Sequence, residues 1–244
     1  MSKKKAQAIR PLGCSAVGNR RVQLSNGTAE IFEGDVLGPG MTRADDAIIL
    51  AAMNRFDPDR PWSKAQADVR PMLPRVRPYP FAIEPVRIML PPGILVGFGV
   101  DLGPALTMVD GTQLQRWGVG VETVAKRALA NVRAAAAGCD PALVVRQTVD
   151  GVPVMALQTG EGIGASMLLV PETLARFFGP GPQLLLAPMR DLLVALPPSV
   201  DHGFAAWLAE EWEAMDPNHL HIGGWLFEAG AVRPVPIDDA FATA

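Results

Sequence analysis

Apolar residues run unbroken on both sides of a short polar turn between Gln183 and Pro197, QLLLAPMRDLLVALP. A strand with one wet face alternates apolar and polar residues at period two, so continuous apolar runs mean that both faces are covered. The stretch predicts a buried antiparallel hairpin near the middle of a sheet, with layers on each side. Pro188 has no N–H to give a ladder, which places it in the turn between the strands. Pro197 and Pro198 end the second strand. A single apolar helix is the rival, but Pro188 at its centre would cost about 3 kcal/mol.

The same patterning organises the rest of the chain. Arg21–Leu24 and Thr28–Phe32 flank Ser25-Asn26-Gly27, a hairpin signal. Thr42 can cap a helix from Arg43 to about Arg55 with Ile48, Ile49, Ala52 and Met53 as its apolar stripe. Residues 57–80 are dense in Pro and Arg and read as a connector, with one short helix after Ser63. Val86–Leu90, Ile94–Asp101 and Ala105–Val109 form a meander, in which Gly97 and Gly99 mark a bulge or a close backbone approach. A helical region runs from Thr112, is interrupted at Trp117-Gly118, and continues through Val121, Val124, Ala128, Leu129 and Val132 at helical spacing. Ala142–Thr148 and Val152–Gln158 flank a second hairpin turn at Asp150-Gly151. A helix from about Ala165 to Phe178 leads into the apolar hairpin. Beyond it, Ser199 or Asp201 caps a helix to about Met215, with Phe204, Trp207, Leu208, Trp212 and Met215 as the expected buried face. Gly224–Phe227 and Ala231–Val235 close the chain as a hairpin around Gly230.

Hairpins separated by single helices make a mainly antiparallel sheet, because strands joined by so few residues cannot be parallel. The class is α+β, with three main helices covering the sheet. Residues 1–80 read as an N-terminal extension holding a hairpin, a helix and the Pro/Arg-rich connector, and 81–244 as the main domain.

Composition narrows the functional classes. Of 244 residues, 49% are hydrophobic and 19% charged, so a sizeable core forms and global disorder is excluded. A net charge of −3 leaves no basic footprint for nucleic acid. No run reaches the roughly 18 apolar residues of a membrane span. The two cysteines, Cys14 and Cys139, make neither a disulfide framework nor a metal knuckle. The basic start Met1–Lys5 lacks a following apolar segment, so no signal peptide is expected and a cytoplasmic setting fits.

The order LQRWGVGVETVAKRALANVRAA, a strand pair, a helix, then LLLAPMRDLLVALP resembles the YtpQ-like bacterial family of unknown function. The carrying residues are Trp117-Gly118-Val119 at the start of an Ala-rich helix, Met189-Arg190-Asp191-Leu192-Leu193 in the later hairpin, and MLPRVRP ahead of the sheet. The resemblance covers roughly residues 70–235. It implies a soluble bacterial α+β domain and no reaction.

Three polar constellations carry candidate chemistry. Arg190-Asp191 pairs a planar donor fork with a carboxylate beside apolar strands, which suits an anion or partner site; the plainer reading is a turn whose Asp bonds nearby amides. Gly160-Glu161-Gly162-Ile163-Gly164 could bring backbone amides to a phosphate, but it has neither G-x-G-x-x-G spacing nor a P-loop Lys, and Glu161 would repel an anion. His219 and His221, two apart, would share one face of an extended strand and could bind a metal with Asp216 or His202; the alternative is a wet loop. The Arg run at 70, 75 and 77 is either a binding strip or a solvated loop. No G-x-S-x-G elbow and no Cys near a His in sequence support nucleophilic catalysis, Cys139 reads as a small packed residue, and no cofactor motif is present.

The expected function is a non-enzymatic protein-interaction or assembly domain, acting on a protein partner or on itself, without nucleic acid or membrane. The alternative is a small-ligand-binding protein or enzyme with its site at Arg190 and Asp191, joined by Glu161. No catalytic residue is named, and whether the chain is an enzyme stays open.

Overall fold

The computed structural model describes residues 21–24, 27–30, 51, 56–73, 85–103, 106–214, 220 and 223–237. The first strands, β1 (Arg21–Leu24) and β2 (Gly27–Glu30), pair antiparallel as a separate two-stranded sheet. Leu24 lies opposite Gly27, so Gly27 begins the second strand and is not part of the turn. The helix expected over 43–55 lies outside the described residues apart from Ala51.

The described part of the connector, residues 57–73, is more ordered than its composition suggests. It holds a one-turn helix, α1 (Trp62–Ala65), and a strand absent from the sequence reading, β3 (Val69–Met72). Pro71 hid that strand, since proline is confined to strand edges and bulges. Among the described strands β3 pairs with β5 (Ile94–Asp101) alone, so the missing N–H has a side on which no ladder bond is demanded. Side chains from the next helical region stitch the connector down. Trp117 Nε1 donates to Arg60 O at 3.0 Å, Gln113 Nε2 to Pro58 O at 3.0 Å, and Asn131 Nδ2 to both Gln66 O and Val69 O at 2.9 Å.

The meander is as patterned. Strand β5 pairs with β3, with β4 (Arg87–Leu90) and with β6 (Leu106–Met108), making a small four-stranded antiparallel sheet. Gly99 marks a close approach. A Cβ there would sit 2.6 Å from Thr107 O and 2.9 Å from Met72 Sδ. Helix α2 (Gly111–Trp117) is capped by Asp110, whose carboxylate accepts from Gln113 N at 2.7 Å, and it ends at Gly118 in the left-handed region, φ 65°. Helix α3 (Val121–Gly138) follows and buries Val124, Ala125, Ala128, Val132 and Ala136.

The second, six-stranded sheet has the order β12-β11-β9-β10-β8-β7, every neighbouring pair antiparallel. Its strands are β7 (Val144–Val149), β8 (Val152–Leu157), β9 (Gln183–Met189), β10 (Leu192–Leu196), β11 (Gly224–Glu228) and β12 (Ala231–Val235). The described strands thus form two main sheets where the sequence implied one.

The apolar hairpin is central, as its two-sided hydrophobicity requires, and its residues alternate between two cores. Leu185, Ala187, Leu193 and Ala195 join the core shared with α3 and the small sheet. Leu184, Leu186, Leu192, Val194 and Leu196 join the core beneath helix α5 (His202–Glu213). Pro188 departs from expectation: it lies within β9, and the turn is Arg190-Asp191 alone. The β9–β10 register shifts by one residue between Leu192 and Val194, so Pro188 falls in a bulge, where no ladder bond is demanded of it. Its carbonyl accepts from Leu220 N at 2.8 Å.

The helix expected over 165–178 is broken. A 3-10 segment spans Ala165–Leu169, a second spans Pro171–Thr173, and only α4 (Ala175–Phe178) is α-helical. Pro171 is the cause. It supplies no N–H, and it drives the preceding Val170 out of the helical region to φ −136°, ψ 59°. Helix α5 is capped by Asp201, accepting from Phe204 N at 3.0 Å. Its buried face is Ala205, Ala206, Leu208, Ala209 and Trp212; Phe204 and Trp207 are only half-buried, and Met215 lies outside the described residues.

Candidate functional site

The structure joins two of the three sequence candidates. The Arg190-Asp191 turn at the end of β9 faces the glycine-rich loop that leaves β8. Asp191 is half-buried and is filled with donors. Its Oδ1 accepts from Thr159 Oγ1, from Thr159 N at 3.4 Å and from Gly164 N at 3.2 Å; its Oδ2 accepts from Gly160 N at 2.7 Å. Arg190 Nε donates to Gly162 O at 3.2 Å, and Arg190 O accepts from Ala165 N at 3.1 Å. The pair therefore clamps the loop across the end of the hairpin.

The glycines are required by this contact. Gly162 has φ +70°, and a Cβ there would lie 2.8 Å from Arg190 Nη2; a Cβ on Gly164 would lie 2.9 Å from the Asp191 carbonyl carbon. The amides of Thr159, Gly160 and Gly164 are directed at a carboxylate of the same chain, which agrees with the turn reading over the phosphate one. Glu161 stands exposed at the loop's tip. The sequence reading missed Thr159 as a partner of Asp191. The alternation Gly160-x-Gly162-x-Gly164 was its available signal: Gly160 and Gly162 take positive φ, and Gly162 and Gly164 have no room for a Cβ against the turn.

The C-terminal end of α3 approaches the same place. Half-buried Cys139 follows the helix, and Arg176 of α4 donates to Ala136 O at 3.0 Å and Ala137 O at 2.7 Å, capping the helix carbonyls. Burial, and after it the Glu161 carboxylate, push the Cys139 thiol above its ordinary range; Asp191 and Asp140 add to the effect and Arg176 opposes it. A reactive thiol needs electropositive surroundings that favour thiolate. This one has the reverse, which agrees with its reading as a packed residue.

His219, His221 and Asp216 lie outside the described residues, as do Arg75 and Arg77. His202 is an exposed first-turn residue of α5. Among the described residues no group of three His, Cys, Asp or Glu side chains could hold a metal. Arg70 is tied down: Nη1 donates to Ala67 O at 3.2 Å, and Nε lies 3.6 Å from Asp101 Oδ2.

A second feature is a surface and not a polar cluster. The small sheet buries Ile94, Val96, Phe98 and Val100 on one face. On the other face, Met89 lies directly opposite Leu95 and Met108 opposite Gly99, so Met72, Met89, Leu95, Leu106 and Met108 share that side with Arg70, Arg87 and Asp101. None of the five apolar residues belongs to either core; Met89 is 60% exposed and Leu95 41%. Gly97 and Gly99 are buried at the middle of this face, where Met72 and Leu106 close over Gly99. No helix among the described residues is long and apolar enough to cross a membrane. No protein-family model matches the chain, and neither do curated proteins or solved structures.

Proposed function

We propose that this chain is a non-enzymatic protein-interaction or assembly domain, docking an apolar segment of a protein partner on the outer face of the small sheet. The observation that carries this reading is the face itself: three methionines and two leucines outside both cores, with Met89 and Leu95 exposed and Arg70, Arg87 and Asp101 at their side. Methionine is unbranched and polarisable and shapes itself to apolar partners, which is why it is over-used at adaptable binding surfaces. The polar pair that would otherwise bind a ligand supports the same reading, because its carboxylate is already occupied by four donors. The resemblance to a bacterial YtpQ-like family and a cytoplasmic setting belong to this proposal and supply no reaction. A photo-crosslinking residue at position 89, used in the native host, should give a discrete protein adduct that Leu95→Asp abolishes. No adduct, or one indifferent to Leu95→Asp, would remove the reading.

A second reading, a small-ligand or enzyme site at the clamp, has one observation in its favour: the fold brings Arg190 and Asp191 against the loop that carries Glu161. Inorganic phosphate that raises the Tm of the native protein but not of Arg190→Gln would favour it. Equal shifts in both would set it aside.

A further inference from the structure

The six-stranded sheet ends in two unlike edges. The β11–β12 hairpin turns through Ala229 and Gly230, with Glu228 opposite Ala231. In a two-residue hairpin the residues flanking the loop exchange both backbone bonds, and the alternation then continues along the strands. Val232 and Pro234 are thus the residues of β12 that face outward. Pro234 has no N–H to offer, which is how natural sheets blunt an edge.

The β7–β8 hairpin turns through Asp150 and Gly151, with Val149 opposite Val152, so Val149, Gln147 and Val145 bond inward to β8. Thr148 lies opposite Pro153, consistent with a pair that exchanges no bonds. Arg146 and Thr148 therefore present N–H and C=O outward. No described residue hydrogen-bonds these backbone groups, and among the described strands β7 pairs with β8 alone. The outward N–H of Val144 is taken by Pro141 O. Val145 is 49% exposed and Leu143, just before the strand, 43%. Arg146 is the one charge on this edge, and its guanidinium is drawn back over the sheet to Phe177 O at 3.3 Å.

We infer that β7 is a self-pairing edge, joining two copies of this chain through antiparallel β7–β7 contact about a two-fold axis. Self-pairing is favoured over stacking β7 on β12 of another copy because Pro234 withholds the donor that such a filament would need; an isologous contact closes at the dimer. The register follows from charge and hydrogen bonding. Centring the axis on Arg146 would set two like charges opposite each other, which is destabilising. Centring it on Gln147 puts Arg146 opposite Thr148 of the second copy, Val145 opposite its Val149 and Gln147 opposite its Gln147. In this register the outward groups of Arg146 and Thr148 exchange four backbone bonds. The surface is distinct from the methionine face of the small sheet, so the two are separable by experiment.

The register makes Gln147 a self-facing pair without hydrogen bonds, with Cα atoms about 4.5 Å apart, within the span a disulfide bridges. In a Cys14→Ser, Cys139→Ser background, Gln147→Cys should oxidise rapidly to a covalent dimer. Arg233→Cys, on the proline-bearing edge, should do so at least tenfold more slowly. Sedimentation should give twice the chain mass for the native protein and the chain mass for Thr148→Pro, which deletes an outward donor and no bond to β8. Equal oxidation of the two cysteine variants, or a native protein that sediments as a monomer at high micromolar concentration, overturns the inference. A Leu95→Asp variant that still dimerises while losing its partner adduct would show the two surfaces acting independently.

Discussion

Asp191→Asn tests whether the clamp is a structural device. The substitution keeps the side chain's shape and replaces one carboxylate oxygen by an NH2 group. Oδ2 serves Gly160 N alone at 2.7 Å, while Oδ1 serves Thr159 and Gly164. Whichever way the amide is turned, it sets a donor against a backbone donor. A bond to a charged acceptor contributes about 1.5–3 kcal/mol, and the partial exposure of this site to water lowers the expected loss to about 1–2 kcal/mol. For a chain of this length that is a drop of about 3–6 °C in Tm. Asp191→Ala removes all four bonds and should cost about 2–4 kcal/mol. Urea unfolding gives the free energies, and native-state hydrogen exchange localises them. The amides of Gly160 and Gly164 should lose protection in both variants, while those at the centre of β10 exchange only with global unfolding. Asp191→Asn within about 0.5 kcal/mol of the native protein, with unchanged exchange at Gly160 and Gly164, would refute the structural account of this pair.

Gly164→Ala should destabilise by about 1–3 kcal/mol, because its Cβ would meet backbone atoms of Asp191 that have no rotamer to escape into; thermal unfolding checks this. Leu193→Ala, at a fully buried position of the central strand, should cost about 2–5 kcal/mol in the same assay. Thr107 is buried and its hydroxyl has no hydrogen-bond partner among the described residues, so Thr107→Val should raise stability by about 1 kcal/mol. In a Cys14→Ser background, Glu161→Gln removes a carboxylate that holds the Cys139 thiol up, so the pH profile of iodoacetamide alkylation should move to lower pH; an unmoved profile would place Glu161 elsewhere.

Much of the fold was legible because it rests on local physics. The turn pairs Asp150-Gly151 and Ala229-Gly230 adopt positive φ, and the strands around them lie where alternation and turn chemistry place them. The two-sided apolar runs of β9 and β10 put them mid-sheet, with alternate residues in separate cores. Local propensity misled where one proline had two permitted places. Pro188 suits a turn or a bulge, and the register of β10 against β9 selected the bulge. Pro71 suits a loop or an edge strand, and β5 supplied the partner that made it a strand. Pro171 is the converse: its effect is wholly local, and weighing it would have broken the 165–178 helix in advance.

By itself the chain determined the α+β class, the hairpins, the central strand pair and the positions of the polar residues, because periodicity and backbone sterics act within a few residues. Only tertiary structure decided what those polar residues do. Asp191 and the 160–164 loop are 27 or more positions apart, and nothing in either stretch says that the carboxylate will take the amides that a phosphate could have taken. The outer face of the small sheet was half-written in the alternation Leu95, Gly97, Gly99, Asp101. Its methionines come from three other strands, and pairing alone brings them together. Hydrogen-bond partners and exposed faces depend on which distant segments meet, and that is settled by the packing of the whole core.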